Sequence, residues 1–240
     1  MSTLQKNTLS TGSLPYRQAQ TTWWGHLLWL LAATVGGWAM TAIFAGMFYL
    51  SRSLFLVPYV VLTAIFLVGY LRWGDFNLRH HLVDNWGWGA VGALLVGGFV
   101  VFTVLQQPRT PMPQGGDLVF NLLWLGVFYG LVDGLLLSVM PVVATWQACR
   151  LLGWTKGWPG QIAAGVLALL ATLLVTATYH LGYPEFQGVA VLLPVFGVGL
   201  MSVAYLLSRN PLAPVLSHIA MHVTAVLFGL YTAVQLPPHY

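Results

Sequence analysis

Charged side chains are scarce in this chain of 240 residues, since only 6% of them are charged and 58% are hydrophobic. A water-soluble domain carries roughly 25% charged residues. So little charge cannot solvate the surface of a soluble fold of this length, and the mean hydropathy of +0.78 agrees. The scarcity of charge therefore excludes a soluble enzyme and predicts that a lipid bilayer is the main solvent.

Cysteine is nearly absent as well. The one cysteine, Cys149, excludes an intramolecular disulfide and a CxxC metal knuckle. The nine lysines and arginines are scattered singly between apolar stretches, so the chain has no basic stripe that could bind a phosphate backbone. The formal net charge of +4 is therefore no sign of nucleic-acid binding, and we expect no nucleic-acid partner.

Long apolar runs are abundant instead. Crossing about 30 Å of hydrocarbon takes about 20 helical residues. Segments that meet this length approximately are Trp23–Leu50, Leu54–Leu71, Trp88–Leu105, Leu118–Gln147, Gln161–His180, Val189–Leu207 and Leu212–Val234. We predict an all-α fold, a polytopic transmembrane helix bundle of about seven spans. A polar N-terminal arm over residues 1–20 precedes a membrane domain over residues 21–240.

The basic residues predict an orientation in the membrane. If the N-terminus is cytoplasmic, the same side receives Lys6, Arg17, Arg72, Arg79, Arg150, Lys156 and Arg209. The opposite side receives only Arg52 and Arg109. The positive-inside rule therefore favours a cytoplasmic N-terminus. We expect an integral, multi-pass protein of a bacterial-type plasma membrane, in contact with the lipid bilayer.

Four ionisable side chains fall inside or at the end of predicted spans, where a charge costs roughly 2.5–3.5 kcal/mol on insertion scales. Asp133 lies near the middle of the fourth span and His180 closes the fifth. His218 and His222 lie in the seventh span, four residues apart, and so share a helix face. One aspartate and three histidines are a ligand set for a divalent metal such as zinc. They equally suit a base and its orienting partners around a reactive water.

Each of these residues also has a purely structural interpretation. A lone histidine in a membrane usually hydrogen-bonds between packed helices, and Asp133 alone could cap a kink or pair with a histidine. The joint occurrence of four such groups on three C-terminal spans is what favours a functional site. His180 lies nearer the predicted outer face than His218, so a shared site requires tilted or broken helices.

Three short sequences carry a family resemblance: Asp133-Gly-Leu-Leu-Leu-Ser138, Thr176-Ala-Thr-Tyr-His180 and His218-Ile-Ala-Met-His222, the last preceded by Pro214. They resemble the blocks EExxxR, FxxxH and HxxxN or HxxxD of the CPBP family, the CAAX-protease and bacteriocin-processing membrane proteins, also called Abi proteins. The resemblance covers about residues 128–229, within a CPBP-like core of about residues 118–235. The first three predicted spans add no motif to it.

The match is incomplete. Asp133 stands at the first glutamate, whereas Gly134 replaces the second glutamate and Ser138 the arginine. The aromatic residue of the second block is lost, while His180 is kept. In the third block His218 is kept, and His222 stands where asparagine or aspartate belongs.

The resemblance implies an intramembrane endopeptidase that acts on a hydrophobic or prenylated peptide. In it Asp133 is the base, His180 and His218 hold the water or a metal, and His222 stabilises the site.

Three other functions remain open at this point. The altered motif positions fit a non-catalytic relative that serves as a structural or adaptor subunit among partner membrane subunits. Membrane histidines could also ligate a haem or a chlorophyll-type pigment, because neutral imidazole is a common axial ligand. A transporter would likewise place ionisable groups and broken helices near the midplane, but the sequence has no inverted repeat.

Overall fold

The computed structural model describes residues 21–228 except residues 75, 77, 108 and 110, so the predicted N-terminal arm lies outside the described residues. The regular structure within these ranges is helical, which confirms the all-α prediction. The helices are α1 (Trp23–Met47), α2 (Arg52–Gly74), α3 (Leu78–Val83), α4 (Trp86–Leu105), α5 (Gly115–Leu151), α6 (Gly157–Leu181), α7 (Gly188–Ser208) and α8 (Leu212–Phe228).

Within the described ranges, 6 helices are long and apolar enough to cross a membrane: α1, α2, α4, α5, α6 and α7. Helix α8 is a shorter apolar helix that begins at Leu212, where the seventh predicted segment begins. The rest of that segment, up to Val234, lies outside the described residues. The chain is thus a multi-pass helical membrane bundle.

Helix α5 changes its winding next to Asp133. It is one helical stretch of 37 residues that continues through Pro141. The residues Tyr129–Asp133 are α-helical, and the wider π-helical turns Gly134–Val139 follow directly. Proline has no backbone N–H to donate and its ring crowds the preceding turn, which explains why the winding is irregular just before it. Asp133 therefore lies at the junction between the two windings.

Helix α8 packs closely against α5 across a row of glycines. Gly126, Gly130 and Gly134 are spaced four residues apart and share the α5 face that meets α8. A methyl group on Gly130 would lie 2.6 Å from the Cα atom of Ile219. One on Gly134 would lie 2.8 Å from the Cα atom of Val215. The glycines thus let the two backbones approach, as small residues do in membrane helix pairs.

Helix α4 covers another side of α8. A methyl group on Gly92 would lie 3.1 Å from the Cβ atom of Ala213, and one on Gly97 would lie 3.4 Å from the Oγ atom of Ser217. Glycines in the third predicted span therefore serve helix packing. Because α8 also contacts α7, it is surrounded by α4, α5 and α7. Both of its histidines consequently face the interior of the bundle, where each is 1% exposed.

Candidate functional site

The structure places all four predicted site residues around one cavity. Asp133 of α5, His180 of α6 and the two histidines of α8, His218 and His222, line a space of about 130 Å³. Their exposed fractions are 5% for Asp133, 6% for His180 and 1% for each α8 histidine. The rest of the lining is almost entirely apolar and comes from α4, α5, α7 and α8. Residues that are far apart in the sequence thus form one buried polar group.

His180 reaches this cavity although it ends a helix. Helix α6 continues only to Leu181, and the connection that follows folds back into the bundle. Tyr183 and Phe186 of that connection are buried, and the Phe186 ring packs edge-on against His180 with ring centres 5.0 Å apart. The connection therefore covers His180, which lines the same cavity as His218.

Both carboxylate oxygens of Asp133 have a hydrogen-bond partner. The hydroxyl of Tyr59 in α2 donates to Oδ1 at 2.5 Å, and Nε2 of His222 lies 3.2 Å from Oδ2. Tyr59 is 0% exposed and His222 is 1% exposed, so these contacts are shielded from solvent. A buried carboxylate needs hydrogen-bond partners to offset the loss of water around it. Tyr59 and His222 supply these bonds.

His180 and His218 are each held by a backbone carbonyl oxygen of their own helix. Nδ1 of His180 lies 2.8 Å from the carbonyl oxygen of Thr176, and Nδ1 of His218 lies 2.9 Å from that of Pro214. A carbonyl oxygen only accepts hydrogen bonds, so each Nδ1 carries the proton and each Nε2 keeps a lone pair. Nε2 of His218 is buried and has no hydrogen-bond partner among the described residues. It is therefore available to accept a proton.

His222 differs from these two histidines in which ring nitrogen is hydrogen-bonded. Its Nε2 faces Asp133, while its Nδ1 is buried without a hydrogen-bond partner in the described part of the chain. The ring of Tyr129 stacks on the imidazole with centres 4.6 Å apart and planes inclined by 27°. With Nε2 donating to the carboxylate oxygen, a neutral imidazole keeps its lone pair on Nδ1. The aspartate thus orients this imidazole, as the carboxylate of a catalytic triad does.

A cluster of buried tyrosines lies around the carboxylate, and no motif in the sequence predicts it. The hydroxyls of Tyr179 and Tyr183 are 2.9 Å apart, and each lies 3.4 Å from that of Tyr129. The Tyr59 ring packs against those of Tyr129 and Tyr179, at centre distances of 5.6 and 5.5 Å. Only the position of Tyr179, next to His180 in the second block, could have signalled its role.

Two positions that differ from the CPBP motifs, Gly134 and Ser138, are buried in the bundle. Gly134 stands at the position of the second glutamate. A Cβ atom there would lie 2.8 Å from the Cα atom of Val215 in α8, so a glutamate does not fit unless α8 moves. Ser138, at the arginine, is 0% exposed, and its hydroxyl has no hydrogen-bond partner among the described residues. The site is thus built around a single carboxylate.

The predicted metal set is not arranged as a metal shell. Within the described ranges, no group of three or more histidine, cysteine, aspartate or glutamate side chains could hold a metal ion. Oδ1 of Asp133 faces the Tyr59 hydroxyl instead, and Oδ2 of Asp133 faces Nε2 of His222. The metal role of Asp133, His180, His218 and His222 therefore stays a prediction.

Comparisons with protein-family models, with curated proteins and with solved structures found no match to this chain.

Proposed function

We propose that this membrane protein is an intramembrane peptidase of the CPBP type that activates a water molecule in the buried cavity. The observation that carries the proposal is the convergence of Asp133, His180, His218 and His222 from α5, α6 and α8 on one cavity. Two of the imidazoles present a buried, unpartnered nitrogen, Nε2 of His218 and Nδ1 of His222. Such nitrogens can hold a water molecule or accept its proton, which hydrolysis requires.

The hydrogen bonds favour a division of roles. Asp133 fixes His222, and the His222 imidazole then removes a proton from water as the water attacks the peptide carbonyl. The same imidazole returns the proton to the leaving amine, so the reaction consumes one water and yields a carboxylate and an amine. His180 and His218 hold the water, because their Nδ1 protons are bound to the backbone and leave Nε2 as an acceptor.

The cavity suits a hydrophobic substrate. Phe99 of α4 and Phe196 of α7 line it, yet they are 49% and 58% exposed on the bundle surface. The cavity therefore reaches the lipid-facing side between these two helices, where an apolar or prenylated peptide would approach. Its volume of about 130 Å³ is below the roughly 300–1,000 Å³ of drug-sized ligand pockets. That size suits a water and a peptide carbonyl better than a haem or chlorophyll-type pigment.

The direct test uses the full chain in phospholipid vesicles with two substrates, a prenylated peptide and an apolar transmembrane peptide. Cleavage is followed by mass spectrometry. We expect Asp133→Asn and His218→Ala to lower the turnover rate by about 10²–10⁴-fold, because each removes a group that prepares proton transfer. The matched control is Asp117→Asn, since Asp117 lies on the same helix α5 but is exposed and outside the cavity.

Equal cleavage by the wild type and both site variants would refute the proposal. Absence of cleavage by the wild type, together with a membrane protein that co-purifies in a fixed ratio, would instead favour the adaptor function. Metal analysis of the same samples tests the predicted zinc set, because bound zinc that is lost on His218→Ala would require a metal ligand role for this histidine.

A further inference from the structure

A second cavity, of about 220 Å³, lies between α5 and α7 and shares no lining residue with the first. Its lining includes Gln147 of α5 and Arg209, which directly follows α7. The end of α5, the start of α6 and the end of α7 are predicted to face the cytoplasm, the side that receives most of the basic residues. With this orientation, the second cavity opens at the cytoplasmic interface.

The lining changes from apolar to polar along both helices. On α5, Val142 and Val143 come first and Trp146 and Gln147 follow one turn later. On α7 the apolar Leu206 precedes Arg209 by one turn. Tryptophan is typical of the headgroup level of a membrane, and arginine of its cytoplasmic edge. This order matches the order of acyl chain, glycerol and phosphate in a phospholipid.

The lining contains the polar side chains of Gln147 and Arg209, besides His81 and Tyr205. The Oε1 atom of Gln147 is buried and has no hydrogen-bond partner in the described ranges. A buried amide oxygen without a partner costs roughly 1–3 kcal/mol, so it indicates a missing donor. The guanidinium of Arg209 donates through Nη2 to Oε1 of Gln161 at 3.1 Å, which fixes its direction at the rim. A guanidinium is suited to a phosphate, which it can bind through two parallel hydrogen bonds.

The rim of the cavity is held in place by Asn210. This side chain is 0% exposed, and its Nδ2 atom lies 3.4 Å from the carbonyl oxygen of His81, 3.1 Å from that of Leu82 and 2.6 Å from that of Asp84. Its Oδ1 accepts from the backbone N–H of Leu212 at 2.9 Å. Helix α3 is thereby tied to the connection between α7 and α8. The cavity is thus preformed, which lowers the entropic cost of binding a ligand.

We propose that this second cavity binds an anionic glycerophospholipid whose headgroup carries a hydroxyl. Arg209 binds the phosphate, Oε1 of Gln147 accepts from the headgroup hydroxyl, and an acyl chain lies along Val142 and Leu206. Basic pockets between helices on the cytoplasmic side are where membrane proteins bind anionic headgroups. The proposal does not depend on peptidase activity, since the two cavities are separate.

Native mass spectrometry of the full chain in detergent tests the proposal with four probes: phosphatidylglycerol, phosphatidylcholine, glycerol 3-phosphate and inorganic phosphate. We expect phosphatidylglycerol to bind at least about tenfold more tightly than phosphatidylcholine, because only its headgroup satisfies both polar groups. The two soluble phosphates should bind far more weakly, since they lack the acyl chain. Equal binding of the two lipids would overturn the proposal, and binding of inorganic phosphate as tight as that of the lipid would show a free-anion site.

Two variants locate the bound lipid. Arg209→Gln and Gln147→Leu should each weaken phosphatidylglycerol binding by about tenfold, because each removes one partner of the headgroup. Arg72→Gln is the matched control, since Arg72 is an exposed arginine on the same predicted side and lies outside the cavity. A loss of binding in Arg72→Gln as large as in Arg209→Gln would mean that general charge attraction holds the lipid, which contradicts the proposed site.

Discussion

Asp133 illustrates what a single carboxylate needs inside a membrane. Its two oxygens accept from two different side chains, Tyr59 on one and His222 on the other. Hydrogen bonds to an ionised group contribute roughly 1.5–3 kcal/mol each, about twice as much as neutral ones. The aspartate is therefore engaged on both sides, whereas Nε2 of His218 and Nδ1 of His222 have no hydrogen-bond partner among the described residues.

Removing the Tyr59 hydroxyl should weaken the whole bundle. In Tyr59→Phe the ring remains and Oδ1 of Asp133 loses its donor, so a buried acceptor is left unsatisfied. We expect the free energy of unfolding to fall by about 1–3 kcal/mol, measured by denaturant titration in micelles. Thr63→Val is the matched control on the same helix, because Oγ1 of Thr63 is buried and has no hydrogen-bond partner among the described residues. A loss of stability in Thr63→Val equal to that in Tyr59→Phe would contradict this account.

The sequence predicted the ionisable residues of the site but not the tyrosines. An aspartate or histidine in an apolar span is rare and therefore visible, and the spacing of His218 and His222 shows that they share a face. Tyrosine is common at membrane interfaces, so Tyr59 and Tyr129 are indistinguishable from lipid-facing residues in the sequence. Their role depends on contacts between α2 and α5, which no local pattern encodes.

At the scale of helices, the approach of α5 to α8 brings Asp133 and His222 together. Apolar burial does not favour helix association in lipid, so close van der Waals packing must hold such a pair. Glycines at every fourth position of α5 allow it, with Gly130 against the backbone of Ile219. The glycine at position 134 belongs to this packing face. The close packing of α8 thus leaves no space for a larger side chain at position 134.

A methyl group at position 130 should separate the two helices. In Gly130→Ala the added Cβ atom would lie 2.6 Å from Cα and 2.8 Å from the backbone N of Ile219, both of them backbone atoms that cannot rotate away. We expect the free energy of unfolding to fall by about 1–3 kcal/mol, as overpacked sites do.

The control for this variant is Gly98→Ala on α4, where an added Cβ meets nothing within 4 Å. That substitution should leave stability unchanged or raise it by up to about 1 kcal/mol, because alanine favours a helix over glycine. Thermal unfolding in micelles compares the two variants. If Gly130→Ala were as stable as Gly98→Ala, the close contact between α5 and α8 would be wrong.

For the whole molecule, the sequence predicted the membrane helices well because length and hydropathy are local quantities. The segments predicted from Trp88 and from Gln161 correspond to α4 and α6. The lateral order of the helices depends instead on which faces contain small residues and on the inward fold of the connection after α6. Tyr183 and Phe186 in that connection look like ordinary loop or interface residues in the sequence, although they are buried. The shared cavity therefore needed the three-dimensional structure.

The orientation of the whole bundle is tested by labelling single cysteines at the two ends of α5. This helix has 37 residues, which at about 1.5 Å per residue is longer than the roughly 30 Å of hydrocarbon. We therefore expect its ends to lie on opposite sides of the membrane. The only native thiol, Cys149, is buried and is first replaced by alanine.

In that background, a membrane-impermeant maleimide should label Gln114→Cys in intact cells, because residue 114 is exposed just before α5 on the predicted outer side. Thr155→Cys, in the connection after α5, should be labelled only after lysis, since the positive-inside rule places it in the cytoplasm. The reverse pattern would invert the bundle and place the second cavity on the outer face. Labelling of both positions in intact cells would show that α5 does not cross the membrane.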